Sequence, residues 1–143
     1  MLGLGNTLSG GIVPAAAAGF ADDYSILLDG TDDHMTADNA GSVISGNLGS
    51  FSIWFTVDTY GYTAVILNMK VDANNKFLIY FHGSTDQTRF EHAGGGNEET
   101  LITTAAIEDN GWHHLVCTWD TGENQSAMYL DGSSVDTGTA AAF

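Results

Sequence analysis

Hydrophobic residues alternate with other residues along most of this chain, in short stretches bounded by Gly, Asn or Asp. In the stretch Trp112–Trp119, Leu115, Cys117 and Trp119 fall on one side of an extended chain, and the intervening residues fall on the other. This alternation is typical of a β-strand with one face in a core, whereas helical periodicity is almost absent. The pattern therefore predicts an all-β chain folded as an antiparallel β-sandwich.

Polar turns separate the predicted strands at a regular spacing, which is also typical of a sandwich. The turn Asp120–Asn124, for example, follows one strand, and Asp131-Gly132 ends the next. The predicted strands are Tyr24–Asp29, His34–Ala37, Ser50–Asp58, Thr63–Val71, Phe77–His82, Thr88–His92, Thr100–Ala105, Trp112–Trp119 and Ala127–Asp131.

Three motifs follow one another along the chain. Residues 28–34 read L-D-G-T-D-D-H, residues 51–55 read F-S-I-W-F, and residues 111–132 read G-W-H-H-L-V-C-T-W-D-T-G-E-N-Q-S-A-M-Y-L-D-G. The third motif resembles the strand W-H-H-V-x-x-T-[WY]-D and the turn L-Y-[LV]-D-G of laminin-G-like domains, a branch of the concanavalin A-like lectin/glucanase superfamily. The first two resemble that family's L-D-G-x-D-D-Y turn and F-[ST]-[IV]-x-[FW]-[WF] strand. The resemblance implies a jelly roll of the concanavalin A-like type.

The C-terminus departs from the family pattern. Family members usually continue past the L-Y-[LV]-D-G turn into further strands, one with an acidic I-D-E-[VI] segment, whereas this sequence stops at Phe143. Either the sequence is a fragment, or the further strands are supplied in another way. The expected sandwich is therefore incomplete at its C-terminus, with an open edge that would pair with another chain.

Residues 1–19 differ in composition from the rest of the chain. They have no charged side chain, many Gly and Ala residues, and the only proline, Pro14. We interpret them as an extended apolar arm outside a domain of residues 20–143. Burial of the arm's aliphatic side chains on a neighbour would stabilise by about 1.5–3 kcal/mol each, which favours contact with another subunit; a disordered or self-packed tail is the alternative. Because the arm has no Lys or Arg, it is a poor signal peptide.

The charge of the chain is strongly acidic: 18 Asp and Glu residues against 3 Lys and Arg residues give a formal net charge of −15. A surface of this sign repels nucleic acid and attracts divalent cations. Solubility in a salty medium, where ions screen charges beyond about 10 Å, is the other explanation. No apolar run reaches the roughly 20 residues of a membrane span. Neither nucleic acid nor a membrane is an expected partner.

The sequence does not match the catalytic patterns of the resembled superfamily. Its glycosidases carry carboxylates in an E-x-D-x-x-E strand, with acid and nucleophile about 5–5.5 Å apart. Glu98 and Glu99 are adjacent instead, so they should face opposite sides of a strand or lie in a solvated turn. His113 and His114 likewise face opposite ways and are expected to be structural. We therefore expect no enzymatic activity.

Asp29, Asp32 and Asp33 are candidate calcium ligands. Calcium accepts six to eight oxygen ligands at about 2.3–2.6 Å, and the resemblance implies a calcium ion because laminin-G-like domains often carry one at the sandwich rim. The same three residues also suit an ordinary Asx turn. Calcium binding and a plain turn therefore both remain open.

Aromatic residues provide the candidate glycan contacts. Tyr60 and Tyr62 lie in a predicted loop, where their rings could bind a sugar or could stabilise a hairpin. Trp54, Trp112 and Trp119 are assigned to the core, because their strands alternate well and large aromatic side chains dominate core energetics. The only cysteine, on the apolar face of its strand, is expected to be a buried, unreactive thiol.

The leading functional hypothesis is a non-enzymatic structural and adhesive β-sandwich within a larger assembly. The opening M-L-G-L-G-N-[TS] followed by such a domain is similar to structural proteins of marine phages, so the resemblance implies a virion component: head decoration, head fibre or tail adhesin. The expected partners are other copies of the chain, or capsid or tail proteins, reached through the arm, and a cell-surface glycan. The alternative is a calcium-dependent, extracellular carbohydrate-binding module of lectin type.

Overall fold

The computed structural model of the chain describes residues 25–29, 31–37, 47–57, 62–103, 107 and 111–140. The chain divides into two compact units, Met1–His34 and Met35–Phe143. The predicted arm, residues 1–19, lies outside the described residues, so its role stays a prediction. In the described part of the chain, no helix is long and apolar enough to cross a membrane.

The described residues of the second unit form eight β-strands in two antiparallel sheets of four strands each. The strands are β1 Leu48–Phe55, β2 Ala64–Asp72, β3 Asn75–His82, β4 Gln87–Gly94, β5 Asn97–Ile102, β6 His113–Asp120, β7 Gln125–Leu130 and β8 Ser133–Gly138. The first sheet has the order β1-β6-β7-β8, and the second has the order β2-β3-β4-β5. The predicted all-β, antiparallel sandwich is confirmed.

The core forms where the inward residues of both sheets meet. Phe90, Cys117 and Met128 have no solvent exposure, and they belong to one hydrophobic cluster drawn from both sheets. Phe77 of the second sheet packs against Trp119 of the first, with ring centroids 4.5 Å apart. Because burial raises the pKa of the Cys117 thiol to about 12, the thiolate is not formed at neutral pH, as expected for an unreactive cysteine.

The two strands predicted before residue 40 are wrong. Residues 25–29 and 31–37 form bends and irregular structure. Aspartate side chains take up the backbone N–H groups that a strand would offer to a neighbour: Thr31 N–H donates to Asp29 Oδ1 at 2.8 Å, and Asp29 N–H donates to Asp33 Oδ2 at 3.1 Å. Short polar side chains compete with secondary structure in this way.

Strand β8 was not predicted, because Ser133–Gly138 carries a single large apolar residue, Val135. It follows the tight turn Asp131-Gly132 and pairs with β7. It therefore covers the edge of β7, which the sequence predicts to be open. Asp136 of β8 also accepts a hydrogen bond from the backbone N–H of Ile102 at 2.8 Å. The strand is therefore held by β7 in its own sheet and by β5 in the other.

His92 makes the stability of the fold depend on pH. Its ring is buried beside Phe77 and Phe90, and burial lowers its pKa, while the charge of Glu99 acts in the opposite direction. Because the folded state disfavours the protonated ring, the unfolded chain binds more protons, and stability is lost as the pH falls below about 6.5.

We expect urea denaturation to give a smaller free energy of unfolding at pH 5.5 than at pH 7.5. Both values lie above the usual carboxyl range, so titration of carboxyl groups contributes little to the difference. The variant His92→Gln has no titratable ring and should show a smaller difference between the two pH values. An equal loss in the variant would contradict this assignment.

Candidate functional site

The outer face of the first sheet is set by the alternation of its strands. In β1, Phe51, Ile53 and Phe55 turn towards the core, so Ser52 and Trp54 turn outward. In β6, the buried residues are Leu115, Cys117 and Trp119. His114, Val116 and Thr118 therefore share the outer face with the outward residues of β1.

Three outward residues form a rigid aromatic surface, which we call the Trp54 platform: Ser52, Trp54 and His114. Trp54 lies directly across the sheet from His114, and their rings stack with centroids 4.7 Å apart and an interplanar angle of 14°. Ser52 Oγ lies 2.8 Å from His114 Nε2, within hydrogen-bonding distance. The indole is nevertheless 61% exposed, so its free face is open to a ligand.

Trp112 adds a second exposed indole close in sequence to the platform. It lies two residues before His114 and is 55% exposed. The assignment of Trp54 and Trp112 to the core is therefore wrong, whereas Trp119, at 2% exposure, is a core residue as predicted. The signal for Trp54 was present in F-S-I-W-F: its position alternates with three inward apolar residues.

A shallow depression of about 430 Å³ lies at the opposite end of the same strands. Its lining includes Leu48, Thr118, Asp120, Gln125, Tyr129 and Thr137. Leu48 and Trp54 are six residues apart on β1, which corresponds to about 20 Å along a strand. The outer face thus combines an aromatic surface at one end with a hollow of mixed polar and apolar lining at the other.

The turn between β7 and β8 fixes the backbone of β6 at His114, a residue of the Trp54 platform. Asp131 Oδ1 accepts a hydrogen bond from the backbone N–H of His114 at 2.9 Å, and Asp131 Oδ2 lies 2.8 Å from His113 Nδ1. These contacts lower the pKa of Asp131, the His114 N–H having the largest effect. Asp131 and Gly132 both have positive φ angles, 50° and 79°, as a two-residue hairpin turn requires.

This arrangement explains the paired histidines of the motif. His113 contacts Asp131 and lies 6.0 Å from Phe55 between ring centroids, while His114 stacks on Trp54. The two rings face opposite ways, as predicted for neighbours on a strand. The carboxylate bonded to His113 is not the partner of the Ser52–His114 pair, so these residues do not form a Ser-His-Asp relay.

Adjacent carboxylates in β5 also face opposite ways. Glu98 lies 3.1 Å from Lys76 Nζ, whereas Glu99 Oε2 accepts a hydrogen bond from Thr139 Oγ1 at 3.1 Å. They lie within a strand rather than in a turn, but their separation across the sheet agrees with the predicted opposite directions. Such a pair cannot flank one glycosidic bond together.

Asp29, Asp32 and Asp33 converge, as a metal site would require. One carboxylate oxygen from each lies within 4.8 Å of the others, and all three residues are exposed. Asp29 and Asp33 also accept the backbone hydrogen bonds of an Asx-type turn. The arrangement of these aspartates is therefore compatible both with a calcium site and with an ordinary Asx turn, and calcium binding stays a prediction.

Of the two tyrosines predicted to contact a glycan, the structure describes only Tyr62. Tyr62 is 86% exposed in the loop before β2, and Tyr60 lies outside the described residues. A glycan contact at these tyrosines stays a prediction.

The basic residues of the chain all lie on the second sheet. Lys70 is in β2, Lys76 in β3 and Arg89 in β4. Lys76 forms salt bridges with Glu91 and Glu98, and the hydrogen bond with Glu91 is the main cause of its raised pKa. Among the described residues of the first sheet, no Lys or Arg balances the acidic groups.

Two facing four-stranded antiparallel sheets define a β-sandwich of jelly-roll type. Residues 29–142 match a laminin-G-like family of the concanavalin A-like lectin/glucanases superfamily, and the chain belongs to that family. The resemblance inferred from the three motifs is therefore confirmed.

Individual relatives share parts of the chain. Pentraxin-related protein PTX3 from Bos taurus is 40% identical over 43 residues, which cover 30% of this chain and 11% of that protein. The mouse laminin alpha1 chain, domains LG4-5, has a TM-score of 0.54 at 13% identity, covering 70% of this chain and 26% of the other. The CBM40 of a Ruminococcus gnavus IT-sialidase has a TM-score of 0.54 at 18% identity, and the match covers 73% of this chain and 59% of that one. The chain thus spans less than two thirds of each, and the two structures share its fold.

Proposed function

We propose that this chain is a non-enzymatic adhesive domain of a larger assembly, and that it binds glycan on the outer face of its first sheet. The observation that carries the proposal is the Trp54 platform. A large indole that is 61% exposed on a strand, rather than in the core, leaves apolar area open to water. Binding of a ligand with an apolar face would remove that area from water.

The platform has the properties of a preorganised binding surface. Stacking on His114 and the contact between His114 and Ser52 restrict the rings, so little side-chain entropy is lost on binding. A pyranose ring presents an apolar face of C–H groups and a rim of hydroxyls. The indole suits the first, and the Ser52 hydroxyl of the platform suits the second.

Alanine at Trp54 should remove the binding. Loss of a tryptophan at the centre of a contact commonly costs at least about 2 kcal/mol, so we expect glycan affinity to fall more than about tenfold. Glycan-array screening of the wild type, followed by calorimetry on the glycans that bind, measures this fall.

Tyr62→Ala is the matched control, because it removes an exposed aromatic ring from a loop outside the sheets and should leave affinity unchanged. Equal affinity of Trp54→Ala and wild type would place the glycan elsewhere. Loss in Tyr62→Ala instead would favour the loop tyrosines.

The assembly that we propose is a phage virion, in which the chain serves as a head decoration, head fibre or tail adhesin. Its support comes from the uncharged arm of residues 1–19 and from the opening that is similar to marine phage structural proteins. The arm would contact other copies of the chain, or capsid or tail proteins. A binding domain on a virion surface would then attach the particle to a cell-surface glycan.

Deletion of residues 1–19 tests the arm. We expect the full chain to form an oligomer and the shortened chain to be monomeric, since about 1.5–3 kcal/mol is lost for each aliphatic side chain no longer buried. Light scattering gives both masses. An oligomer of unchanged size after the deletion, or a monomeric full chain, would contradict self-assembly through the arm.

A calcium-dependent extracellular lectin is the second candidate, favoured by the convergence of Asp29, Asp32 and Asp33 within 4.8 Å. In that case calorimetry detects calcium binding to the chain, and Asp32→Asn weakens it. Glycan affinity would also rise with calcium. Glycan binding that is unchanged by a chelator excludes this candidate and leaves the platform proposal intact.

A further inference from the structure

We infer that the ligand of the outer face is a neutral, extended oligosaccharide that lies along β1 and β6, rather than an acidic glycan or a single terminal sugar. The inference rests on the proposed function and gives its ligand a chemical class. Two independent observations carry it: the distribution of charge over the two sheets, and the distance between the two ends of the face.

The charge distribution disfavours an acidic ligand. A carboxylate or sulfate bound on a protein needs a basic partner, and Arg and Lys supply it. All three basic residues of this chain lie on the second sheet, whereas the depression on the first sheet contains Asp120. Two like charges that are close together near a protein surface repel each other.

The net charge of −15 adds to this effect at longer range, because it slows the approach of any polyanion at low ionic strength. A neutral sugar is free of both penalties. Its hydroxyl groups can donate to the Asp120 carboxylate, and they can both donate to and accept from the side chain of Gln125.

The dimensions of the face favour a chain over a single sugar. The Trp54 platform and the depression together extend over about 20 Å of β1, from Trp54 to Leu48. Ser50 lies on β1 between Trp54 and Leu48 and opposite Thr118, which lines the depression, so hydroxyl-bearing side chains link the two ends across β1 and β6. One pyranose ring can contact only one end, whereas an extended chain contacts the platform, the hydroxyls and the depression together.

Calorimetry with oligosaccharides of two lengths tests the inference on the full chain. The probes are neutral hexasaccharides of glucan, mannan and xylan, the matching disaccharides, and a galacturonate hexasaccharide as the acidic probe. We expect one neutral hexasaccharide to bind at least tenfold more tightly than its disaccharide, and the acidic probe not to bind at low salt.

Two variants separate the ends of the face. Trp54→Ala should weaken both the hexasaccharide and the disaccharide, because both use the platform. Thr118→Val keeps the shape of the side chain and removes its hydroxyl, so it should weaken the hexasaccharide alone. Tyr80→Ala, on the second sheet, is the control and should change neither affinity.

Any other outcome of these titrations contradicts one specific part of the inference. Binding of the acidic probe that is lost in Trp54→Ala overturns the neutral ligand but leaves the glycan-binding function. Equal affinity for hexasaccharide and disaccharide overturns the extended ligand. If no probe binds and a glycan array is also silent, both the inference and the proposed function fail.

Discussion

Replacement of Trp119 by alanine is expected to lower the free energy of unfolding by about 3–5 kcal/mol. The indole is 2% exposed and packs against Phe51 and Phe77, with ring centroids 5.1 Å and 4.5 Å away. It therefore connects the two sheets, and its loss leaves a cavity between them. Urea denaturation followed by circular dichroism measures the change. If the variant does not fold, Trp119→Phe gives a smaller loss in the same direction.

Trp54→Ala is the matched comparison, because the same substitution on the outer face should change stability by no more than about 1 kcal/mol. Only the stack with His114 is lost, and no cavity forms. The two tryptophans thus separate stability from binding: the first substitution destabilises the sandwich, and the second weakens ligand binding. Equal losses of stability would contradict the division of the tryptophans into core and surface.

Replacement of Asp131 by alanine is expected to cost about 1–3 kcal/mol of stability. The variant loses the hydrogen bond from His114 N–H and the contact with His113, and places alanine at a φ of 50°. Because the pKa of Asp131 is lowered in the folded state, its contribution is present above the usual carboxyl pKa and is lost as the pH falls through the folded value. Urea denaturation at pH 7 and pH 3 measures both effects.

Two further substitutions separate the causes. Asp131→Asn tolerates a positive φ and keeps an oxygen acceptor for His114 N–H, so it should retain most of the stability at pH 7. Asp131→Gly relieves the backbone strain but makes no side-chain contact, and should fall between the other two. Were alanine and asparagine equally stable, the turn carboxylate would have no special role in holding β6.

Much of the fold could be predicted, because the strands of the core alternate strongly. The pattern of Leu115, Cys117 and Trp119 located β6, and the tight turn Asp131-Gly132 located the end of β7. These features arise from local chemistry, which a sequence displays directly. The family motifs added the jelly-roll topology, which alternation alone does not specify.

The elements that could not be predicted depend on tertiary context. Strand β8 has little apolar pattern of its own and exists because β7 and Ile102 of β5 satisfy its polar groups. The reverse holds for residues 25–29, whose pattern suggested a strand but whose last backbone N–H, that of Asp29, donates to the side chain of Asp33.

The candidate site was hidden for a related reason. Trp54 and His114 stack because β1 pairs with β6 in one register, and the two residues are far apart in sequence. Alternation within β1 could have shown that Trp54 faces outward. The neighbours of Trp54 on that face are set only by the pairing of the strands. The same pairing forms the depression at the other end of the sheet.

The most direct test of the account is a titration of ¹⁵N-labelled protein with the neutral hexasaccharide that binds most tightly, followed by two-dimensional NMR. We predict shifts of the Trp54 indole N–H and of the backbone signals of Ser52 and Thr118, with the buried Trp119 indole and the second-sheet residue Tyr80 unchanged. Shifts on the second sheet with an unchanged Trp54 would contradict the assignment of the outer face of β1-β6-β7-β8 as the binding surface.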